Sequence, residues 1–483
     1  MLREYYSRIV IAGLAGDSGK TIVSCGLLSS FKSRGVNVTG FKKGPDYIDA
    51  AWLSLASGKP ARNLDSFMMG FPEVKNSFLK RADKNGINII EGNRGLFDGV
   101  NNKGTHSTAE LASLLKAPVI IVQDISKVTR TAAASILGCV NLDRNINIVG
   151  VILNRAASER HSKIAKDAIE GETGIPVLGI IPKLPEKYIL PERHLGLIMP
   201  EEFEQKSIFL LGIRNIIEDY VDVSKIMKLA INAPAIDLEE SNVEKSSEQS
   251  LSNESDKNSS AKVKISIGYF KDKSFSFYYP ENLEMLIEAG AELVPISLAD
   301  SELLYNIDAL YIGGGFPEMN LDELASNKEM IKTIKKLAYE GLPIYAECGG
   351  LIYLAKDIEW KGRIYSLSGV LPIKIKMNNK PQGHGYCEAV VDEGNPFYEL
   401  GETIKGHEFH YSKIYEYDPD IKTSLSLTRG VGCFNKRDGL TYKNVFASYV
   451  HVHALSTPTW IKGMIKSAQQ FKDSKKTIPV IQE

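Results

Sequence analysis

The chain has 483 residues, 43% of them hydrophobic, and 58 Lys and Arg against 59 Asp and Glu leave a net charge of −1. This length suggests about three domains of ordinary size, and the balanced charge offers no electrostatic attraction to nucleic acid or an anionic membrane, so we expect neither as a partner. No apolar run approaches the ~20 residues that a membrane span needs, and the five cysteines are scattered without metal-ligand spacing, which favours a reducing cytoplasm.

A glycine-rich loop follows the first predicted strand. Residues 9–13 form an apolar run, residues 13–21 read Gly-Leu-Ala-Gly-Asp-Ser-Gly-Lys-Thr, and a helical apolar pattern comes next. In this context backbone amides cradle phosphates, the lysine reaches the β and γ oxygens, and the hydroxyl ligates Mg²⁺. The sequence therefore predicts an ATP site formed by Gly13, Gly16, Gly19, Lys20 and Thr21.

The spacing of this loop is similar to that of a particular group of nucleotide-binding proteins. Leu14 stands where the strict P-loop pattern has its first glycine. The resulting Gly-x5-Gly-Lys-Thr spacing resembles that of dethiobiotin synthetase and its relatives. ParA and MinD ATPases carry a lysine at the position of Ala15. The resemblance therefore favours a synthetase-like domain over a partitioning switch.

Two acidic clusters follow further strand patterns. Residues 41–49 place two lysines and two carboxylates, Asp46 and Asp49, in one loop, and Glu91 and Asp98 follow the apolar residues 87–90. Carboxylates just beyond the carboxyl ends of parallel strands lie in the crevice where such sheets bind ligands. Each acid alone would more often be a solvated loop charge. Beside a P-loop, the two clusters indicate Mg²⁺ and substrate binding.

The alternation of strand-like and helical patterns predicts an α/β protein with two doubly wound domains. The first is a P-loop NTPase-like parallel sheet over residues 1–232, and the second is an α/β domain over 263–470. Residues 233–262 are rich in Ser, Glu, Asn and Lys and predict a flexible polar linker. Residues 471–483 form a lysine-rich tail that we expect to be frayed.

Cys348 lies between an apolar strand pattern and two glycines. A strand, a sharp turn and a helix form the elbow that presents a nucleophile at the edge of an α/β sheet, where the helix dipole is expected to lower the thiol pKa. His451 and His453 are spaced i, i+2, so on a strand either imidazole could act as the base. A buried core cysteine is the alternative, but the glycines and the histidine pair favour a nucleophile.

A glycine triplet at residues 313–315 follows another predicted strand. Its backbone amides, those of Gly314 and Gly315 in particular, would donate to the oxyanion of a thioester intermediate. A plain strand-to-helix turn is the alternative for this triplet.

The chain resembles the class I glutamine amidotransferases and, within them, the cobyrinate a,c-diamide synthase family. The resemblance rests on the motifs at residues 41–49, 63–65, 91–99, 190–196, 273–282, 311–318 and 406–412. It implies that residues 263–470 form a class I glutaminase α/β domain, with Cys348 as the nucleophile and His451 as its base. Most class I glutaminases have His-Pro-Glu where this chain has His-Val-His, so His453 occupies the place of the usual orienting glutamate.

The same resemblance implies roles in the N-terminal half. Lys20 and Thr21 would bind ATP and Mg²⁺, and Asn154 would read the adenine, with a loop cap as the alternative for this asparagine. The metal would also be bound by Glu91 and Asp46. Phosphate and substrate contacts would come from Lys42, Asp49 and Asp98.

Together these patterns predict an ATP- and glutamine-dependent ligase that amidates the a and c acetate side chains of cobyrinate. The expected small-molecule partners are a corrinoid or related tetrapyrrole, ATP with Mg²⁺, and L-glutamine, and a homodimer remains open. Hydrogenobyrinate and nickel-sirohydrochlorin are alternative substrates. Two other classes are a P-loop ATPase switch with an inactive glutaminase domain and a tetrapyrrole-binding protein without turnover.

Overall fold

The computed structural model describes residues 2–190, 192–193, 196–238 and 264–476. Contacts divide the chain into two compact units. The first runs to Ser260, and the second contains Ala261–Glu483 together with the short segment Phe67–Met69.

The N-terminal part of the chain alternates strands and helices. Its strands are β1 (Leu2–Glu4), β2 (Ser7–Gly13), β3 (Val38–Lys43), β4 (Arg62–Leu64), β5 (Ile87–Glu91), β6 (Val119–Asp124), β7 (Ile148–Ala156), β8 (Val177–Pro182), β9 (Glu192–Arg193), β10 (Gly196–Leu197) and β11 (Ile236–Leu238). Its helices are α1 (Lys20–Ser33), α2 (Tyr47–Ser57), α3 (Ser66–Met69), α4 (Phe71–Arg81), α5 (Thr108–Leu114), α6 (Thr131–Leu142), α7 (Glu159–Thr173), α8 (Lys206–Tyr220) and α9 (Val223–Ile231).

Seven of these strands form a parallel sheet in the order β4-β3-β5-β2-β6-β7-β8. The strands read as nearly continuous apolar runs because helices cover a parallel sheet, and α1, α2, α8 and α9 contribute to one buried apolar cluster with it. The predicted parallel α/β fold is confirmed.

The strand order decides which residues meet at the carboxyl edge of this sheet. Strand β2 lies between β5 and β6, and β3 is the other neighbour of β5. In the register of the sheet Glu91 pairs with Ile11 on one side and with Lys42 on the other. The glycine loop after β2 is therefore next to the ends of β5 and β3.

The C-terminal part of the chain has more strands than the alternation of sequence patterns predicts. Its strands are β12 (Ile265–Phe270), β13 (Ala291–Ile296), β14 (Ala309–Ile312), β15 (Ile344–Glu347), β16 (Ala355–Trp360), β17 (Arg363–Ser366), β18 (Leu371–Met377), β19 (Gly383–Val391), β20 (Thr403–His410), β21 (Ser412–Tyr417), β22 (Lys422–Arg429), β23 (Arg437–Tyr442), β24 (Val445–Ser448) and β25 (His451–Val452). Its helices are α10 (Pro280–Glu288), α11 (Leu321–Ser326), α12 (Lys328–Tyr339), α13 (Gly349–Leu354) and α14 (Pro458–Lys476).

The main sheet of this unit has ten strands in the order β13-β12-β14-β15-β24-β23-β22-β19-β20-β25. The first five are parallel, and the rest pair antiparallel. A second sheet has the order β17-β16-β18-β21. In the parallel half, β14 and β15 are neighbours and end at the same edge of the sheet. The glycine triplet after β14 and Cys348 after β15 therefore both follow that edge.

Two described elements extend past the predicted domain boundaries, which remain a prediction. Within the predicted linker, Ile236–Leu238 pair antiparallel with Leu2–Glu4, and the ion pair between Arg3 and Asp237 reinforces this pairing at 3.1 Å. The rest of the linker, 239–262, lies outside the described residues, as does His194 of the motif at 190–196. Helix α14 continues through the start of the predicted tail to Lys476, and 477–483 again lie outside the description.

Among the helices that the structure describes, none combines the length and the apolar character that crossing a lipid bilayer requires.

A fully buried arginine fixes the start of β2. Arg8 donates to four backbone carbonyls: Tyr6 at 2.7 Å, Leu115 at 2.7 Å, Lys116 at 3.1 Å and Pro234 at 2.6 Å. Burial lowers the pKa of Arg8 to about 10, so the guanidinium remains charged at neutral pH. These bonds join the start of β2 to the loop before β6 and to the segment before β11.

We therefore predict that Arg8→Met destabilises the protein by about 3 kcal/mol, because several buried carbonyls lose their donor. Urea unfolding followed by circular dichroism measures this effect. The matched control is Arg3→Met, at a side chain with 66% exposure, which should change stability by less than about 0.5 kcal/mol. Equal effects of the two substitutions would contradict the prediction.

Candidate active sites

In the glycine loop after β2, two positions lie so close to other protein atoms that only glycine fits there. Gly19 has a φ of 95°, and a side chain there would collide with the amide of Asn154. A side chain at Gly13 would collide with Ser18. At Gly16 no protein atom lies within 4 Å of the position of a Cβ atom, so the protein leaves this space open.

Lys20 opens helix α1 and folds back over the loop. Its Nζ donates to the carbonyl of Ala15 at 2.9 Å, and its pKa is lowered by burial and by the nearby charge of Lys42. Asn154 donates to the carbonyl of Ser18 at 2.9 Å and thereby ties the end of β7 to the loop. This bond fits the loop-cap alternative for Asn154 directly.

Four side chains, from the ends of β3 and β5 and from the first turns of α1 and α2, form a largely buried cluster beside the loop. Lys42 Nζ lies 2.9 Å from Glu91 Oε1 and 2.6 Å from Asp49 Oδ2, and it also donates to the carbonyl of Gly92 at 3.0 Å. Thr21 Oγ1 donates to Glu91 Oε1 at 2.8 Å. The sequence predicted each of these four residues, and the structure brings them together.

Burial and charge act against each other in this cluster. For Lys42, burial disfavours the ammonium, but the carboxylates of Asp49 and Glu91 outweigh it and raise the pKa. For Glu91, burial raises the pKa and Lys42 opposes that rise. The lysine therefore keeps its charge and holds the two carboxylates close together.

One atom of the cluster fits a metal ion. Glu91 Oε2 is buried without a hydrogen-bond partner, although its sister oxygen has two. Within the described residues, no three His, Cys, Asp or Glu side chains form a complete metal site. Mg²⁺ in nucleotide sites needs only one or two carboxylates because phosphate and water oxygens complete its shell. The Thr21 hydroxyl and the Glu91 carboxylate supply the donors for such a site.

The other two predicted carboxylates have structural contacts of their own. Asp46 accepts from the amide of Asp49 at 2.8 Å and caps α2, and burial and the charge of Asp49 raise its pKa. Asp98 accepts from the amide of Gly95 at 2.8 Å and so shapes the loop after β5. Asn63, in another of the sequence motifs, donates to the carbonyls of Gly44 and Asp46 and stabilises the loop after β3.

In the second unit, Cys348 occupies the predicted elbow between β15 and α13. Its φ of 45° and ψ of −93° are unusual for a residue with a side chain, as expected for a strained nucleophile turn. Its amide donates to the carbonyl of Ser448 at 2.8 Å, which ties the elbow to β24. A side chain at Gly349 would press against the backbone of Gly315, so the glycine after the cysteine allows a close approach.

The expected lowering of the thiol pKa is not what the geometry gives. Burial raises the pKa of Cys348, the charges of Glu318 and Glu347 raise it further, and the amide of Gly349 opposes this only in part. Helix α13 has six residues, so its dipole is small. The thiol therefore needs a base that removes its proton.

His451 is held by a carboxylate that sequence analysis did not select. Glu347, the residue before the cysteine, is fully buried and places Oε2 3.4 Å from His451 Nδ1. The other nitrogen of this imidazole, Nε2, lies on the side of Gly314. His407 stacks on His451 with ring centroids 4.9 Å apart, as their register in β20 and β25 requires.

His453 lies in different surroundings. Its Nε2 is 3.5 Å from Glu281 Oε2, its Nδ1 accepts from the amide of Leu455 at 3.2 Å, and its ring packs on Tyr279 with centroids 4.7 Å apart. Strand β25 ends at Val452, so the i, i+2 alternation that placed both histidines on one face does not extend to His453. His453 remains a predicted catalytic residue that no finding tests.

The glycine triplet lies beside the elbow. The amide of Gly313 donates to the hydroxyl of Tyr278 at 2.9 Å and is thus engaged. Gly314 is pressed against His451, and Gly315, with a φ of 151°, against Ser274. The amides of Gly314 and Gly315 remain the candidate oxyanion donors.

Four further histidines have contacts within the fold. The amide of His161 donates to Ser158, which caps the start of α7, and its ring contacts the carbonyl of Val128, whereas His384 is exposed. His106 differs from a surface residue: it is half-buried, has a φ of 61° and bonds Ser66 at 3.0 Å. His410 lies 3.7 Å from Glu408 and contributes to a buried polar network in β20.

A nucleotide-type loop in one unit and a cysteine elbow in the other define a two-part amidotransferase. The family model of the CobQ/CobB/MinD/ParA nucleotide binding domain matches residues 9–198, and that of the CobB/CobQ-like glutamine amidotransferase domain matches residues 266–459.

Curated relatives match almost the whole chain. The chain is 40% identical to the cobyrinate a,c-diamide synthase of Magnetococcus marinus over 94% of this chain and 95% of that protein. It is 38% identical to those of Caldanaerobacter subterraneus and Archaeoglobus fulgidus, each over 96% of this chain and 98% of the relative. The chain belongs to the cobyrinate a,c-diamide synthase family.

The loop glycines provide a test of the nucleotide site. We predict that Gly16→Ala leaves the thermal stability unchanged but weakens ATP binding at least about tenfold. The added methyl group would contact no other part of the protein, but it would occupy the space that a phosphate group needs. Gly19→Ala should lower both, since its φ is positive and Asn154 blocks the side chain. Calorimetric ATP titration and thermal unfolding measure the two quantities. Unchanged ATP affinity in Gly16→Ala would contradict a phosphate at this position.

Proposed function

We propose that this protein amidates the a and c acetate side chains of cobyrinate, using ATP and glutamine. The observation that carries the proposal is the presence, in one chain matched end to end by cobyrinate a,c-diamide synthases, of an assembled nucleotide-type cluster and a cysteine elbow with its histidine. Each of the two amidations consumes one ATP and one glutamine.

The two sites supply the two halves of one reaction. A carboxylate is a poor acyl donor, so its oxygen attacks the γ-phosphorus of ATP, ADP leaves, and an acyl phosphate forms. Ammonia then attacks the acyl carbon, and inorganic phosphate departs from the amide. At neutral pH ammonia in water is mostly protonated, and glutamine hydrolysis supplies it in its neutral form.

In the N-terminal unit, the loop and Lys20 bind the phosphates of ATP, and Lys20 stabilises the charge that develops on the transferred phosphoryl group. Asn154 contacts the adenine. Lys42 and Asp49 bind phosphate and substrate, and Asp98 completes this crevice. Lys42 also keeps Asp49 next to Glu91, as their ion pairs require.

Mg²⁺ would be held by Thr21 and Glu91, with Asp46 close by, and it would neutralise charge on the phosphates. The unpartnered Glu91 Oε2 supports this assignment.

In the C-terminal unit, His451 takes the proton from Cys348, and the thiolate attacks the side-chain carbonyl of glutamine. The amides of Gly314 and Gly315 donate to the oxyanion. The C–N bond breaks, the leaving ammonia takes the proton from His451, and water hydrolyses the thioester to glutamate.

The alternative readings are not favoured by any contact in the described residues. Hydrogenobyrinate and nickel-sirohydrochlorin differ from cobyrinate in the metal or the ring, and mass spectrometry of products from all three decides among them. A cytoplasmic location and a homodimer remain predictions, and sedimentation velocity tests the latter.

The nucleophile is tested by Cys348→Ala. We expect glutamine-dependent amidation to vanish and high ammonium to restore product, because only the ammonia source is lost. His451→Ala should behave in the same way, and His453→Ala should be milder. Loss of ammonium-dependent amidation in Cys348→Ala, with circular dichroism unchanged, would contradict the assignment.

The activating site is tested by Lys20→Ala and Glu91→Gln. Both should reduce amidation by about 10²–10³-fold with either nitrogen source, because they act on the carboxylate and not on ammonia. Basal glutamate release at Cys348 should survive in both, which makes glutaminase activity the internal control. Amidation at near wild-type rate in Lys20→Ala would exclude the loop as the activating site.

A further inference from the structure

The glutaminase site described above lacks an assigned acid that orients its base. In glutaminases of this class a glutamate two residues after the histidine has that role, and here His453 takes its place in the sequence. An imidazole acts as a base through one nitrogen only when the other nitrogen carries its proton, and a carboxylate facing that nitrogen selects this tautomer.

We propose that Glu347 is the positioning acid of His451. It is the residue directly before the nucleophile, and its Oε2 lies 3.4 Å from His451 Nδ1. The inference rests on the proposed roles of Cys348 and His451 and adds a residue to them.

Two further contacts hold this carboxylate in place. The hydroxyl of Tyr311, on the neighbouring strand β14, donates to Glu347 Oε2 at 3.1 Å. The amide of Val452, next to the histidine in the chain, donates to Oε1 at 3.2 Å. Because the side chain is fully buried, these donors supply hydrogen bonds that solvent cannot supply.

The position of Glu347 follows from strand geometry. Successive residues of a strand project to opposite faces, so the last side chain of β15 points away from the side on which the elbow presents the thiol. His451 enters from β25 and offers Nδ1 to Glu347, while its Nε2 lies at Gly314. Gly315, the next residue, lies against Gly349, which follows the cysteine. His451 Nε2 is thus on the elbow side.

The charged and titratable groups around His451 support the same assignment. Glu347 faces it from β15, His407 stacks on it from β20, and the phenol of Tyr311 reaches it through Glu347. Burial and the neighbouring His451 and His384 lower the pKa of His407 far below its ordinary range. The proton taken from the thiol therefore rests on His451, beside the only negative charge among these groups.

The second buried carboxylate–imidazole pair of the unit supplies a matched control. Glu281 lies 3.5 Å from His453, almost the same separation as in the first pair. Both carboxylates are buried and both histidines follow β24 in the chain. If His453 were the working base, Glu281 would be its acid.

The test compares glutaminase pH profiles of the full-length Glu347→Gln, Glu347→Asp and Glu281→Gln variants. Glu347→Gln should lower kcat/KM for glutamine by about 10²–10⁴-fold, since the amide selects the wrong tautomer. The acid limb of the kcat/KM profile of Glu347→Gln should move to lower pH, because the imidazolium of His451 loses a negative neighbour. Glu347→Asp keeps the charge and should recover part of the rate with an unshifted limb. Glu281→Gln should change kcat/KM less than about fivefold.

Ammonium-dependent amidation separates this inference from the proposed function. It should remain at wild-type level in all three variants. A Glu347→Gln rate within about fivefold of wild type, or a loss without a shift of the acid limb, would overturn the positioning role even if Cys348→Ala is inactive. A larger loss in Glu281→Gln would assign the role to that residue instead. If Glu347→Gln does not fold, a fully active Glu347→Asp would overturn the proposal, and a partly active one with an unshifted limb would support it.

Discussion

The constraint on which both sites depend is the cost of burying charge at the carboxyl ends of parallel strands. A carboxylate or ammonium without water must have a charged or hydrogen-bonding partner, or it loses its charge. In the first unit Lys42 meets this requirement for Glu91 and Asp49. In the second, Tyr311 and the amide of Val452 meet it for Glu347. As a consequence, these ion pairs and hydrogen bonds hold the buried charged groups of both sites in fixed positions.

The same constraint bears on the thiol of Cys348. Burial and two neighbouring carboxylates raise its pKa, so a standing thiolate is disfavoured. A short helix cannot offset this. In the function that we propose, His451 accepts the proton of this thiol, and the groups around its imidazole set the rate of that step.

The apolar cores set the positions of these groups. Strand β2 and its neighbours are almost completely buried, and so are β14 and β15. Close packing leaves the strand ends little freedom. Arg8 extends this rigidity by joining the start of β2 to two other segments, the loop before β6 and the segment before β11. The glycine loop and the cysteine elbow therefore stand on fixed supports.

The sequence by itself determined the glycine loop and the cysteine elbow, because each of them is formed by adjacent residues. The loop of Gly13 to Thr21 and the elbow at Cys348 need glycines at particular positions, and a contiguous motif encodes such turns. Only the tertiary structure decided which distant residues meet. Lys42 reaches Glu91 because β3 pairs with β5, and Glu347 reaches His451 because β24 pairs with β15 and the histidine follows shortly after β24. The antiparallel strands that bring His407 onto His451 had no comparable local signal, since pairing depends on register between segments far apart in the chain.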